Sequence, residues 1–189
     1  MAVRAFHIRP WTRREYDRAF ELGLFQEDEK LELLDGLLIV AEPHDPPHAT
    51  GVALAAEVVR AVFANGWLVR VQLPLALDDF SEPEPDIAVV PGSARDYRRV
   101  HPSQAALVLE VADTSLRLDR SRKASVYARV GIADYWIVNV IDQVLEVHRE
   151  PGREGRRWRY GLVQILGPEA TITPLAAPRA SISVADLLP

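Results

Sequence analysis

Residues 106–140 read ALVLEVADTSLRLDRSRKASVYARVGIADYWIVNV, and the fold follows from how this stretch divides. The run to Val111 is apolar apart from Glu110 and has the length of a buried strand. A polar loop follows, then a helix expected over about 119–130, with Asp119 as its N-cap and Gly131 as its stop. A second apolar strand runs from Ala133 to Val140. Just upstream, Glu84-Pro85-Asp86 opens another strand, Ile87 to Val90. A carboxylate at the end of an apolar strand needs a partner, because burying it unpaired costs several kcal/mol or forces its protonation. A divalent cation is one such partner, so Asp86, Glu110 and the helix-borne Lys123 together suggest a metal site. An arginine partner, or exposure at the strand end, is the other reading of each acid.

Outward from this centre, Thr12 is expected to cap a short helix through RREYDRAFELGLF, with Tyr16, Phe20 and Leu24 four residues apart and Gly23 near its end. Asp35-Gly36 is a hairpin turn between strands at about 30–34 and 37–42, which places Glu32 in the first strand. A helix is expected at about 47–64, with His48 in its first turn. The segment WLVRVQLPLAL, 67–77, alternates as a strand with Trp67, Val69, Val71, Leu73 and Leu75 on one side. Beyond Val140, residues 143–150 pair back through Ile141-Asp142, and the remainder extends the sheet. The C-terminal part holds a short ATITPL strand and Ser183 as the cap of a small helix. The pattern is an α/β or α+β domain over residues 1–189, a mixed sheet flanked by helices, with an added N-terminal hairpin and C-terminal strands.

Composition narrows the chemistry. With no cysteine, the chain has no disulfide, zinc thiolate, iron–sulfur cluster or thiol nucleophile. A net charge of -5 argues against a general nucleic-acid coating protein, whose affinity comes from neutralising phosphates, though not against an acidic centre with a local basic rim. No apolar run approaches a membrane span or a signal core, so a cytoplasmic protein without a membrane partner is expected. Lys30 and Lys123 are the only lysines among 22 basic residues, which sets Lys123 apart in a chain that otherwise uses arginine. An ammonium is a compact point charge able to approach one water or one phosphate oxygen, where a guanidinium is a broad planar fork.

The elements ELLDG at 32–36, His48, EPDIAVV at 84–90, LVLEVADTSLRLDRSRK at 107–123, Tyr127 and GIADYWIVN at 131–139 together resemble the bacterial "putative restriction endonuclease" domain family of the PD-(D/E)XK nuclease superfamily. The likeness covers nearly the whole chain. It implies a restriction-endonuclease-like core and Mg²⁺- or Mn²⁺-dependent hydrolysis of phosphodiester bonds, most naturally in DNA. Asp86 matches the first acid of the motif and Glu110 the second. The superfamily pattern places a lysine two residues after the second acid. Here that position is Ala112, and the resemblance implies that Lys123 on the following helix takes the role. The implied metal ligands are Asp86, Glu110 and the Val111 carbonyl, with Lys123 orienting the attacking water. Glu32 and His48 match accessory positions, and Tyr127 is expected as a pocket wall within reach of Lys123. The exposed basic stretches with Arg95, Arg98 and Arg99, and with Arg156 and Arg157, are candidates for gripping a phosphate backbone; a solvated hairpin rim is the other reading. Cutting both strands with one site per chain implies a homodimer. Two further readings stand beside this one: a nuclease fold without activity, serving as a nucleic-acid or protein-binding module, and a hydrolase of another phosphoester such as a nucleotide.

Overall fold

A computed structural model describes residues 8–26, 29–40 and 45–189. In chain order, helix α1 (Arg13–Glu21) precedes strands β1 (Leu31–Leu34) and β2 (Leu37–Val40), helix α2 (Pro46–Val62) and strands β3 (Trp67–Val71), β4 (Ile87–Pro91) and β5 (Leu107–Ala112). A helical segment follows: α3 (Leu116–Leu118), a π-turn (Asp119–Lys123) and α4 (Ala124–Arg129). Strands β6 (Asp134–Asn139), β7 (Val144–Glu154), β8 (Arg157–Leu166), β9 (Thr171–Ile172) and β10 (Ile182–Ser183) complete the order. Among the described residues, β3-β4-β5-β6-β7-β8 form one sheet, while β1–β2 and β9–β10 are separate antiparallel pairs. Only β5 and β6 run parallel, joined by the α3–α4 crossover; the other sheet neighbours are antiparallel.

Alternation along the central strands decides the layers. Ile87, Val89, Leu107, Leu109 and Val111 pack towards α2 with Val52, Ala55 and Val59. Ala88, Val90, Val108 and Ala112 pack towards α4 with Val126, Tyr127 and Ala128. Covered on both faces, β4, β5 and β6 read as nearly unbroken apolar runs. Each fully buried aliphatic among them contributes about 1.5–3 kcal/mol, so this sheet is a stiff floor for whatever stands on its ends.

The β1–β2 hairpin turns through Asp35 (φ 51°) and Gly36 (φ 73°), the left-handed pair that its turn type requires. A side chain at Gly36 would collide with Pro10. Leu33 and Glu82 exchange main-chain hydrogen bonds, Leu33 N–H to Glu82 O at 3.3 Å and Glu82 N–H to Leu33 O at 2.7 Å. From α4, Arg129 donates to Asp35 at 2.5 Å, to Asp78 at 2.8 Å and to Ser81 at 3.1 Å. These ties fix the hairpin beside the helix that carries Lys123.

Three expectations are corrected. The strand at 67–77 stops at Val71, because Gln72 takes φ 51° and turns the chain. Trp67, Val69 and Val71 then lie against the α2 layer, but Leu75 joins the α4 layer and Leu73 is exposed. The helix expected from Asp119 begins at Leu116, so Asp119 is no N-cap but a buried member of the π-turn. Ser183 precedes a 3₁₀ turn, Val184–Leu187, without capping it through its side chain. The end of the second hairpin strand, expected at 41–42, lies outside the described residues.

Candidate active site

The β4–β5 ladder ends at Ile87↔Leu109, and beyond it side chains take over the rungs. Val111 N–H donates to Asp86 Oδ2 at 2.8 Å, and Asp86 N–H points at Glu110 Oε2 at 3.4 Å. The N–H and C=O of one residue in an extended strand turn to the same side, so the Val111 carbonyl also faces the Asp86 end. Gln72, just past the end of β3, fastens Asp86: its N–H donates to Asp86 O at 3.1 Å and its Nε2 to Asp86 Oδ1 at 3.2 Å. From the first turn of α2, His48 Nε2 stands 3.3 Å from Asp86 Oδ2. Asp45 caps that helix by accepting from His48 main-chain N–H at 3.0 Å.

Glu110 points into the α4 layer, where Tyr127 and Lys123 meet the same oxygen. Tyr127 hydroxyl donates to Glu110 Oε1 at 2.7 Å, and Lys123 Nζ lies 3.1 Å from it. Lys123 also approaches Glu32 Oε1 at 3.4 Å and Asp119 Oδ1 at 3.8 Å. Tyr127 is fully buried against Tyr135, so it braces Glu110 from below and is not a pocket wall bonded to Lys123. The π-turn is what delivers Lys123. Ala124 N–H reaches back to Asp119 O, five residues away, and the Tyr135 hydroxyl donates to that same carbonyl at 3.2 Å. Ser115 Oγ donates to Asp119 Oδ2 at 2.6 Å, which holds the acid beneath the lysine.

Burial governs the electrostatics. It raises the Glu110 carboxyl well above the usual range; Lys123 offsets part of this, while Asp119, Asp86 and Glu32 add to it. Burial likewise lifts Asp119 to about 6 against the pull of Lys123. For Asp86, burial is outweighed by the His48 hydrogen bond and charge, the Val111 N–H and Lys123, and its carboxyl is held below the ordinary value. Burial disfavours the charged form of Lys123, yet Glu110, Glu32, Asp119 and Asp86 more than reverse this and keep it an ammonium. His48 is raised in the same way: burial opposes its proton, and Asp86 wins. Glu32 Oε2 and Asp119 Oδ1 are buried and accept no hydrogen bond among the described residues. Two buried carboxylate oxygens at this spot thus lack a protein donor among those residues.

These groups open onto a pocket of about 500 Å³ whose lining includes Glu32, His48, Gln72, Glu84, Asp86, Glu110 and Lys123. Sequence reasoning missed Gln72, Glu84 and Asp119. It also missed Lys30, which lines the same pocket, although the scarcity of lysine that singled out Lys123 applied equally to it. No group of three or more His, Asp or Glu side chains among the described residues is disposed to hold a metal ion alone. The donor set suits a hard cation that keeps water and takes one or two carboxylates with a carbonyl.

The structure does not bring the arginine clusters to this place. Arg95, Arg98 and Arg99 are exposed beyond Pro91, the far end of β4, about 16 Å along the strand from Asp86. Arg156 and Arg157 stand at the exposed tip of the β7–β8 hairpin. Glu110 pairs with Ile137 and Arg149 with Asp134, so that tip lies roughly 25 Å from Glu110 along the strand direction. Both clusters thus belong to the opposite end of the sheet. No helix among the described residues is long and apolar enough to cross a membrane.

The sequence model of the Uma2 family, described as "Putative restriction endonuclease", matches residues 14–185. The fold is similar to the crystal structure of a "putative nuclease belonging to DUF820" from Anabaena variabilis ATCC 29413. Their TM-score is 0.71 at 18% identity, covering 94% of this chain and 97% of that one. No curated protein matches the chain. The chain belongs to the Uma2 family.

Proposed function

We propose that this Uma2-family chain is a metal-dependent endonuclease that hydrolyses phosphodiester bonds in DNA, with Asp86, Glu110 and Lys123 as its catalytic residues. The observation that carries this reading is the convergence of two strand-borne acids and a helix-borne ammonium in one pocket, beside carboxylate oxygens of Glu32 and Asp119 that accept no hydrogen bond among the described residues. A Mg²⁺ or Mn²⁺ ion held by Asp86, Glu110 and the Val111 carbonyl would polarise the scissile phosphate and lower the pKa of a bound water. Asp86 stays ionised through His48 and Val111 N–H and so keeps its carboxylate ready. Tyr127 and Lys123 engage Glu110 Oε1, which leaves Oε2 on the Asp86 side. Lys123 orients the attacking water and offsets charge that develops on the phosphate in the transition state. His48, Gln72, Glu32 and Asp119 act through these three as positioning residues.

The test is cleavage of DNA with Mg²⁺, with Mn²⁺ and with chelator, comparing the wild type with Glu110→Ala. The variant is expected to lose at least about 10²–10³ in rate. Calorimetric Mn²⁺ binding is expected for the wild type and not for Asp86→Ala. Cleavage that is equal in wild type and Glu110→Ala overturns the reading.

A further inference from the structure

We infer that the pocket takes one unpaired nucleotide of a single DNA strand and excludes the duplex, an inference that rests on the hydrolytic reading above. The chemistry is recessed: Asp86 is 7% exposed, Glu110 3% and Lys123 6%. A scissile phosphate must therefore enter the pocket and cannot merely lie across its mouth. At about 500 Å³ the cavity is of the size that holds one small ligand. One wall is the β1–β2 hairpin, which presents Ile39 and Val40, and Leu118 lines the pocket from α3. These aliphatic side chains suit a sugar and a base face and carry no donor or acceptor with which to read a sequence. The hairpin wall is fixed by Arg129 and by the Leu33–Glu82 bonds, so it does not simply fold aside for a broad helix.

Charge points the same way. Proteins that grip duplex DNA neutralise several phosphates with lysine and arginine. The pocket here is lined by Asp45, Glu84 and Asp113, while the arginine clusters occupy the other end of the sheet. Besides the buried Lys123 and the His48 held by Asp86, the cation among the described lining residues is Lys30, the partner of Lys123 in being one of only two lysines in the chain. It is exposed, lines the pocket and forms no ion pair among the described residues. The phosphate adjoining the scissile one is assigned to Lys30: one contact, as a single strand needs, in place of the many a duplex needs.

The experiment measures binding by fluorescence anisotropy of one labelled DNA oligonucleotide, single-stranded or annealed to its complement, with Ca²⁺ in the buffer, and cleavage of both forms with Mn²⁺. The single strand is expected to bind and be cut at least about tenfold better, a preference within reach of one or two base contacts. Val40→Glu, at a site 59% exposed and so harmless to folding, is expected to weaken single-strand binding about tenfold. Lys30→Gln is expected to flatten the dependence of log affinity on log salt by about 0.7, the mark of one lost phosphate contact on a single strand. A duplex bound and cut as well as the single strand overturns the inference, and so does wild-type affinity in Val40→Glu or an unchanged salt slope in Lys30→Gln. In each of those cases cleavage that still depends on Glu110 leaves the hydrolytic reading standing. Absence of Glu110-dependent cleavage of either form removes the hydrolytic reading and this inference with it.

Discussion

The two ends of the six-stranded sheet both carry dense charge, in opposite physical states. At the end where β5 finishes, Glu110, Asp119 and Lys123 are almost wholly buried, Lys123 lies against both acids, and burial raises the two carboxyls while the acids hold the proton on the lysine. At the end where the β7–β8 hairpin turns, Arg153, Arg156, Arg157 and Arg159 stand in solvent, and the Arg159–Glu154 pair at 2.6 Å is exposed on both sides. Exposed pairs of that kind contribute about 0–1 kcal/mol. The difference teaches that burial, more than the number of charges, decides how strongly the charges of a cluster act on one another. Water screens the arginine end, whereas the sheet and α4 remove water from the acidic end and leave each charge to its neighbours.

The largest expected effect tests that claim where coupling is tightest. Lys123→Arg keeps the charge but replaces a compact ammonium, 3.1 Å from Glu110 and 3.4 Å from Glu32, with a broad fork. Overpacking is expected to cost about 1–3 kcal/mol, which leaves the chain folded by circular dichroism. The rate of DNA cleavage is expected to fall about 10²–10³-fold, because on the proposed hydrolytic reading the group that orients the attacking water is displaced. Full activity in that variant would remove the lysine from the chemistry and reduce the acidic end to a structural salt-bridge cluster.

Much of this end was legible in the sequence, since its parts are encoded locally. Apolar runs gave β4, β5 and β6; Asp35-Gly36 gave the hairpin; Gly131 gave the helix stop, with φ 80°. The pairing of Asp86 and Glu110 across adjacent strands follows from those runs and a single connecting loop. What escaped notice depends on tertiary contacts. The π-turn exists with Tyr135 holding Asp119 O, and no spacing within 116–130 announces that bond. Gln72 adopts a left-handed conformation usually left to glycine or asparagine, so the reversal that carries Leu75 into the other layer left no mark in the pattern. The arginine clusters were visible as charge, but only strand register reveals which end of the sheet they occupy.

A smaller effect extends the comparison to an acid outside the pocket's charge network. Glu82 is 7% exposed beneath the hairpin, with Arg13 3.9 Å away, and its carboxyl is raised from 4.5 to about 7, chiefly by burial. The folded state thus binds this proton more tightly than the unfolded state. Its stability falls as pH rises from 4.5 through 7, and the penalty is complete above that range. Glu82→Gln removes the charge and spares the main-chain bonds to Leu33. Its Tm is expected to exceed that of the wild type at pH 8, by about 2–4 °C for each kcal/mol recovered in a chain of this size, and to differ little at pH 5. A gain of equal size at both pH values would mean that desolvation of this carboxylate is not its cause.

The smallest expected effect belongs to the arginine end, and there the expected result is near silence. Replacing Arg95, Arg98 and Arg99 together with glutamate, or Arg156 and Arg157, reverses charge at exposed sites that make no side-chain ion pair among the described residues. Surface changes of this sort usually alter stability by about 0.5 kcal/mol or less. A short single-stranded oligonucleotide seated in the pocket extends towards neither cluster, because both lie on the far side of the sheet's strands. Its cleavage rate is expected to stay within about twofold of wild type at moderate salt, where a charge more than about 10 Å away is screened. Loss of tenfold or more on such a substrate would show the two ends working on one strand, and the division between a buried acidic end and a solvated one would then fail. If short substrates are unaffected and only long DNA binds more weakly, with a shallower salt dependence, the arginines act on backbone far from the cut and the division holds.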